Sequence, residues 1–324
     1  MNSQISFLMT NSSNSTLFDT PSLHDRLLVS LIYLNFALLA IGLHVIVTVA
    51  LFKAIGGTKF HSFHILSLNL YFADALTFVV YVFYGCPSII LSYKIYGISG
   101  DKAMGAFQTA GFISSIIITF LISINRALAI SENCWNEKAF RIKMCYVYGL
   151  LAWMAGWMVM LFNYYVDCFI IFDEKFFNFR TVCYSGPPPL VSPSSIVIYV
   201  MAYGVGFFYV YACYSLYRRY VGVEMAQVQM AARAHQNRLL CQAFFIWVSL
   251  LANIFASRAV NYFMSGTWAV VTTVLVVFWS RAIPPICMLI FAEDIRSMVL
   301  RMLRVDRLTN KVMPFNARLT GTGG

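Results

Sequence analysis

Three ionisable side chains stand where a folded chain has little water to offer them. Asp74 in "LNLYFADALTF" and Arg281 in "VVFWSRAIPPICMLIF" lie within long apolar runs, and Arg126 in "FLISINRALAI" closes a third. A charge at the depth of a hydrocarbon layer costs about 2.5–3.5 kcal/mol on insertion scales, so it is kept facing an interior and paired. An acid and a guanidinium on different segments suggest each other, and a buried Asp74–Arg281 salt bridge is expected. The alternative is that each finds water or a backbone carbonyl separately. Catalytic chemistry has less to build on, because the chain carries no Gly-rich phosphate loop, no His-Glu-x-x-His and no Gly-x-Ser-x-Gly. His61 and His64 have an i, i+3 spacing that can hold a metal, but no acid or cysteine accompanies them, and they read as interfacial residues. No enzyme, cofactor or metal site is expected.

The elements that must carry these charges follow from composition. Of 324 residues 60% are hydrophobic and only 11% are charged, too much apolar surface for the interior of a soluble domain of this size. Seven stretches each reach the roughly twenty apolar residues needed to cross a ~30 Å hydrocarbon core. They run over 27–52, 62–90, 103–130, 143–165, 193–219, 236–261 and 267–291, separated by turn signals such as "AIGGTKFH" and "SGPPPLVSP". The expected fold is an all-α membrane protein, a seven-helix bundle over residues 27–291. A short amphipathic helix over 292–304 follows, with Ile295, Met298, Val299 and Met302 on one face. Residues 1–26 and 305–324 read as polar tails. The opening "MNSQISFLMT" has neither a basic n-region nor a long apolar h-region, so the first span is expected to direct insertion.

Lysine and arginine set the orientation. Sixteen fall on the side that holds the C-terminal tail and six on the other, which puts the N-terminus outside and the tail in the cytoplasm. The net charge of +10 then meets anionic membrane lipid and cytosolic partners and needs no nucleic acid. The sequons at Asn11 and Asn14 both fall in the tail predicted to be extracellular, where glycosylation is expected. Among eight cysteines, Cys168 and Cys183 lie in the loop between spans four and five, and Cys86 at the outer end of span two. These three face an oxidising compartment. A Cys168–Cys183 bond is favoured, with Cys86–Cys183 as its competitor, since connectivity is not decided by sequence.

Seven spans, an Asp in "LNLYFAD", an Arg in "SINRALAI", a proline late in span seven and the helix "AEDIRSMVLRMLR" together resemble the rhodopsin-like G protein-coupled receptors. Within them, Asn125 before Arg126, the cysteine-bearing fourth loop and the short third cytoplasmic loop are most similar to the nematode serpentine chemoreceptors of class X. The resemblance implies that Arg126, with Asn125, engages a heterotrimeric G protein. The acid that usually precedes this arginine and the tyrosine that follows it are replaced by Asn125 and Ala127. It also places Asp74 and Ser115 where many receptors bind sodium, and puts Arg281 at the span-seven position of that site. The guanidinium is then expected to stand in for the ion and to exclude it. The Asn-Pro-x-x-Tyr signature reads Pro284-Pro285-Ile286-Cys287-Met288, so the helix break is kept and the tyrosine is lost; a span-five tyrosine, Tyr209 or Tyr211, is a candidate to take over its task.

The same alignment narrows the ligand. Phe278 stands where opsins carry the retinal lysine, and Gln108 where biogenic-amine receptors carry an aspartate, so neither ligand is expected. Gln108, Phe107, Phe112, Tyr262, Trp268 and Phe278 form the candidate aromatic pocket for a small organic molecule. The implied function is a G protein-coupled chemosensory receptor, at the plasma membrane and by analogy in sensory cilia. The alternative is a ligand-gated channel or small transporter, which would call for inverted repeats or a polar path through the bundle; one acid and one arginine at mid-depth supply neither.

Overall fold

Helices dominate because the apolar runs leave the backbone no partner but itself, and a helix satisfies every amide within the segment. The computed structural model describes residues 21–55, 62–131, 135–184, 193–220, 227–263 and 266–302. Asn11 and Asn14 lie outside them, as do His61, residues 1–20 and residues 303–324. Span one is α1 (Leu23–Ile55) and span two is α2 (Ser62–Val80) continued by α3 (Cys86–Leu91). Span three is α4 (Gly97–Ile130), followed by the short α5 (Trp135–Ala139), and span four is α6 (Ile142–Tyr165). Spans five, six and seven are α7 (Pro193–Tyr220), α8 (Gln227–Phe263) and α9 (Thr267–Phe291), and α10 (Glu293–Met302) follows. Among the described residues six helices are long and apolar enough to cross a membrane, and α8 contributes a shorter apolar stretch, Leu240–Ala256.

Two departures from regular helix have local causes. Tyr81–Gly85 widens into a π-type turn just before Pro87, whose ring cannot accept a normal turn beneath it. In α9, Pro284 and Pro285 lie inside the helix and leave the carbonyls of Ser280 and Arg281 without their usual amide donors.

The loop between spans four and five is not helical. It forms an antiparallel hairpin of β1 (Cys168–Asp173) and β2 (Asn178–Cys183), which the wholly helical expectation did not contain. "CFIIFD" and "NFRTVC" are rich in β-branched and aromatic residues, which suit a pleated, half-covered surface. The register sets Cys168 opposite Cys183, and the two are disulfide-bonded. The competitor is excluded, since Cys86 is a free, buried thiol. Span three starts at Gly97 rather than at 103, and in the added turns Asp101 is buried and bonded to the hairpin.

Lipid tails are as apolar as leucine, so helices associate through close packing and a few polar contacts rather than by hydrophobic exclusion. The Ser114 hydroxyl donates to the Ala152 carbonyl at 3.2 Å, tying α4 to α6, and Ser30 donates to the Cys86 carbonyl at 3.1 Å, tying α1 to α3. Trp247 Nε1 donates to the Ala202 carbonyl at 3.2 Å, tying α8 to α7. Two smaller apolar cores and two large ones result among the described residues. One, near the hairpin, is aromatic and holds Tyr33, Phe78, Tyr81, Tyr84 and Phe278. The other, at the opposite end, is mostly aliphatic, with Leu66, Leu70, Ile118, Ile122 and Met288, and it receives Ile295 and Val299 of α10.

Gly156 shows how close α6 comes to α4. A Cβ there would stand 2.6 Å from the Ala110 carbonyl oxygen and 2.5 Å from Ser114 Oγ, and backbone cannot yield as a flexible side chain can. Gly156→Ala is expected to cost about 1–3 kcal/mol, read as a lowered melting temperature of detergent-solubilised protein. Gly42→Ala, where nothing lies within 4 Å of the added atom, should not lower it and should raise it slightly, as replacing a helix-interior glycine does.

Candidate functional site

Asp74 and Arg281 meet where the two large cores join. Asp74 follows Ala73 of the aliphatic core and precedes Phe78 of the aromatic one, while Arg281 lies between Phe278 and Met288. Arg281 Nη1 donates to Asp74 Oδ1 in a salt bridge, and Ser115 Oγ donates to the same oxygen at 2.7 Å. Spans two, three and seven thus converge on one carboxylate. Both charged residues are nearly out of contact with solvent, at 1% and 4% exposure, and the guanidinium also lies 4.8 Å from the Phe112 ring centre. A small cavity of about 30 Å³ adjoins the pair, bordered by Thr119, Ser249, Asn253 and Ser280 among apolar neighbours. Its hydroxyls turn back on their own helices, Thr119 to Ser115, Ser249 to Ile246 and Ser280 to Val277, a habit that satisfies polar side chains in apolar surroundings.

Arg126 borders a cavity of about 530 Å³, open at the end of the bundle away from the hairpin. Its guanidinium stacks on the Phe63 ring at 3.6 Å, and among the described residues no carboxylate bonds it. Tyr71 and Tyr209 are its electrostatic neighbours, and Tyr209 is buried whereas Tyr211 is 40% exposed. Asn125 Nδ2 donates to Ser62 Oγ at 3.1 Å, holding the inner end of span three against span two. Across the cavity, Arg238 of α8 and Glu293 of α10 form an exposed ion pair, Gln242 Nε2 donates weakly to Met288 Sδ at 3.7 Å, and Phe245 stacks on Phe291 with ring centres 6.0 Å apart.

The candidate ligand residues are not gathered around one cavity. Phe107 is 42% exposed and meets Trp157 edge-on, and Trp268 is 44% exposed, as suits aromatics on a lipid-facing surface. Phe278 is fully buried against Tyr33, Phe36, Phe78 and Tyr81, so it packs toward spans one and two. Phe112 belongs with Arg281, Gln108 is half-buried on α4, and the side chain of Tyr262 lies outside the described residues. Sequence reasoning missed the Arg238–Glu293 pair and the role of Asp101, which is fully buried. A lone acid in "GISGDKAMGAF" was the available signal for Asp101. No grouping of three or more His, Cys, Asp or Glu able to hold a metal occurs among the described residues.

Because each partner of the mid-bundle pair is buried, removing one strands the other. Asp74→Ala and Arg281→Ala are each expected to cost about 3–5 kcal/mol, whereas the double variant should cost clearly less than their sum. A double-mutant cycle on thermal unfolding measures this; additive losses would mean that the two charges are not coupled.

Comparison with known proteins bears on the whole bundle. The structure is similar to that of squid rhodopsin, with a TM-score of 0.71 at 14% identity over 89% of this chain and 88% of that one, a likeness of fold. No curated protein matches the chain. The family described as serpentine type 7TM GPCR chemoreceptor Srx matches over residues 36–291, from the middle of span one to the end of span seven. The protein is an integral membrane receptor of the G protein-coupled class, and the chain belongs to the Srx family of serpentine seven-transmembrane chemoreceptors.

Proposed function

We propose that this receptor stands with its hairpin face outside the cell, binds a small organic molecule there, and passes the event to a heterotrimeric G protein at the opposite face. The 530 Å³ cavity carries the reading. It opens at the end of the bundle, where an amphipathic helix of a partner would dock, and Arg126 offers it a guanidinium that no carboxylate of the described residues occupies. The excess of Lys and Arg on the same side supports a cytoplasmic placement, with residues 1–26 outside and 305–324 inside. Glycosylation at Asn11 and Asn14 fits that orientation. The ligand is neither retinal nor a cationic amine, because Phe278 and Gln108 supply neither a Schiff-base lysine nor an anionic anchor.

In this reading Arg281 is a built-in cation. A guanidinium bonded to Asp74 repels a sodium ion from the same carboxylate, so signalling should not depend on sodium. Pro284 and Pro285 sit directly after the pair and give span seven its bending point, which lets a change at Arg281 reach Met288 and Gln242 beside the cavity.

The test is guanine-nucleotide exchange and membrane conductance recorded together in cells carrying a panel of G proteins, with small odorants as stimuli. Stimulated exchange that is lost in Arg126→Ala, without current, is the expected result; a stimulus-gated current that survives loss of Arg126 and of G protein would make the protein a channel. Basal exchange should rise roughly two- to five-fold in Arg238→Glu, the scale of an exposed ion pair. It should return toward the starting value when Glu293→Arg is added.

A further inference from the structure

Asp101 is fully buried, yet it lies at the mouth of the bundle and takes no part in the signalling contacts described above. Its Oδ1 accepts the backbone N–H of Phe172 at 2.8 Å, and its Oδ2 receives Lys94 Nζ at 2.6 Å. One carboxylate on span three therefore holds both the loop before that span and the first strand of the hairpin. The bond falls near the hairpin's tip, since Phe172 pairs with Phe179 and only the Asp173–Asn178 pair lies beyond it.

The other end of the hairpin is built differently. There the Cys168–Cys183 disulfide joins the two strands to each other, not to the bundle. The Tyr184 amide donates to the Asp167 carbonyl at 3.0 Å, and Tyr164 of span four meets Phe169. The base is closed covalently and follows directly from α6. No covalent bond reaches the tip. Between the two ends, the hairpin rests on bare backbone, for a Cβ on Gly105 would stand 1.8 Å from the Ile170 carbonyl oxygen.

Beneath the tip lie the rings that a ligand entering from this side would meet first. Phe172 and Phe177 are buried in the aromatic core, Phe179 packs edge-on to Tyr81 at 5.6 Å, and the Tyr81 hydroxyl donates to Asn178 Oδ1 at 3.0 Å. The hairpin thus fills, with its own rings and one amide oxygen, a site of aromatic walls that carry the hydroxyls of Tyr33, Tyr81 and Tyr84.

We propose that the hairpin is a hinged lid, closed covalently at its base and latched at its tip by Asp101, and that lifting the tip exposes Tyr81 and the neighbouring rings to a small, largely apolar ligand that hydrogen-bonds to their hydroxyls. A latch made of one amide hydrogen bond and one ion pair opens reversibly, whereas a disulfide at the same place would not. The disulfide at the base keeps the two strands in register while the tip moves. The ligand half of the proposal rests on the receptor reading; the latch does not.

The latch is tested by hydrogen exchange of the full-length protein in lipid nanodiscs, read by mass spectrometry on peptides covering 168–184 with the disulfide intact. Asp101→Ala should speed exchange of the tip amides about ten-fold or more, while peptides from α8 keep their wild-type rates. Asp101→Asn, which retains an acceptor oxygen but loses Lys94, should fall between. Should Asp101→Ala fail to fold, Lys94→Ala tests the latch by removing its ion pair while leaving the bond to the Phe172 amide. Tip amides that exchange at the wild-type rate in both Asp101→Asn and Lys94→Ala would overturn the latch, as would acceleration spread evenly over hairpin and helices. Neither outcome touches the assignment of a G protein partner, which nucleotide exchange reads separately.

Discussion

The Asp74–Arg281 pair is the contact on which the arrangement of spans two, three and seven depends. In hydrocarbon, apolar side chains gain nothing by choosing one neighbouring helix over lipid, so helix order and rotation must come from elsewhere. A charge does choose, because leaving it unpaired is expensive. Asp74 collects Arg281 from one helix and Ser115 from another on a single oxygen, which sets the rotation of all three. The aromatic core on one side and the aliphatic core on the other then pack against a layer whose geometry is already specified.

The two ends of the bundle use that frame in opposite ways. At the hairpin end Tyr33, Tyr81, Tyr84, Phe172 and Phe177 are buried and fill the interior. At the other end the helices part around the cavity beside Arg126, and what bridges them is an exposed ion pair and a weak amide–sulfur contact. Such bridges are worth little. The bundle is therefore tight where the chain supplies its own occupant and loose where a partner is proposed to enter, as expected of an element that must move with small energies.

Departures from the wider receptor class compensate one another. The carboxylate that usually neighbours the span-three arginine is absent, and Arg126 is instead covered by Phe63, a contact that tolerates the charge without neutralising it. At the other face, Asp101 near the start of span three holds the hairpin by hydrogen bond and ion pair, while the disulfide lies within the hairpin itself. Span three is thus tied to the hairpin by a reversible contact.

Much of this was legible in the order of residues. Apolar length dictates the spans, since an unbroken run has only helix available to it in lipid, and the isolation of Asp74 and Arg281 within such runs pointed each to the other. Pro284 and Pro285 marked the break in span seven by chemistry alone. Tertiary structure decided what depends on rotation about a helix axis, which an all-apolar helix does not encode: Phe107 and Trp268 face outward and Phe278 turns toward spans one and two, so these three do not line one pocket. It also decided the hairpin. Cys183 had two reachable partners in sequence, and only strand pairing, which set it opposite Cys168, selected one. Asp101 passed for a loop residue for the same reason, because its burial comes from a hairpin some seventy residues away that covers it only once the chain has folded.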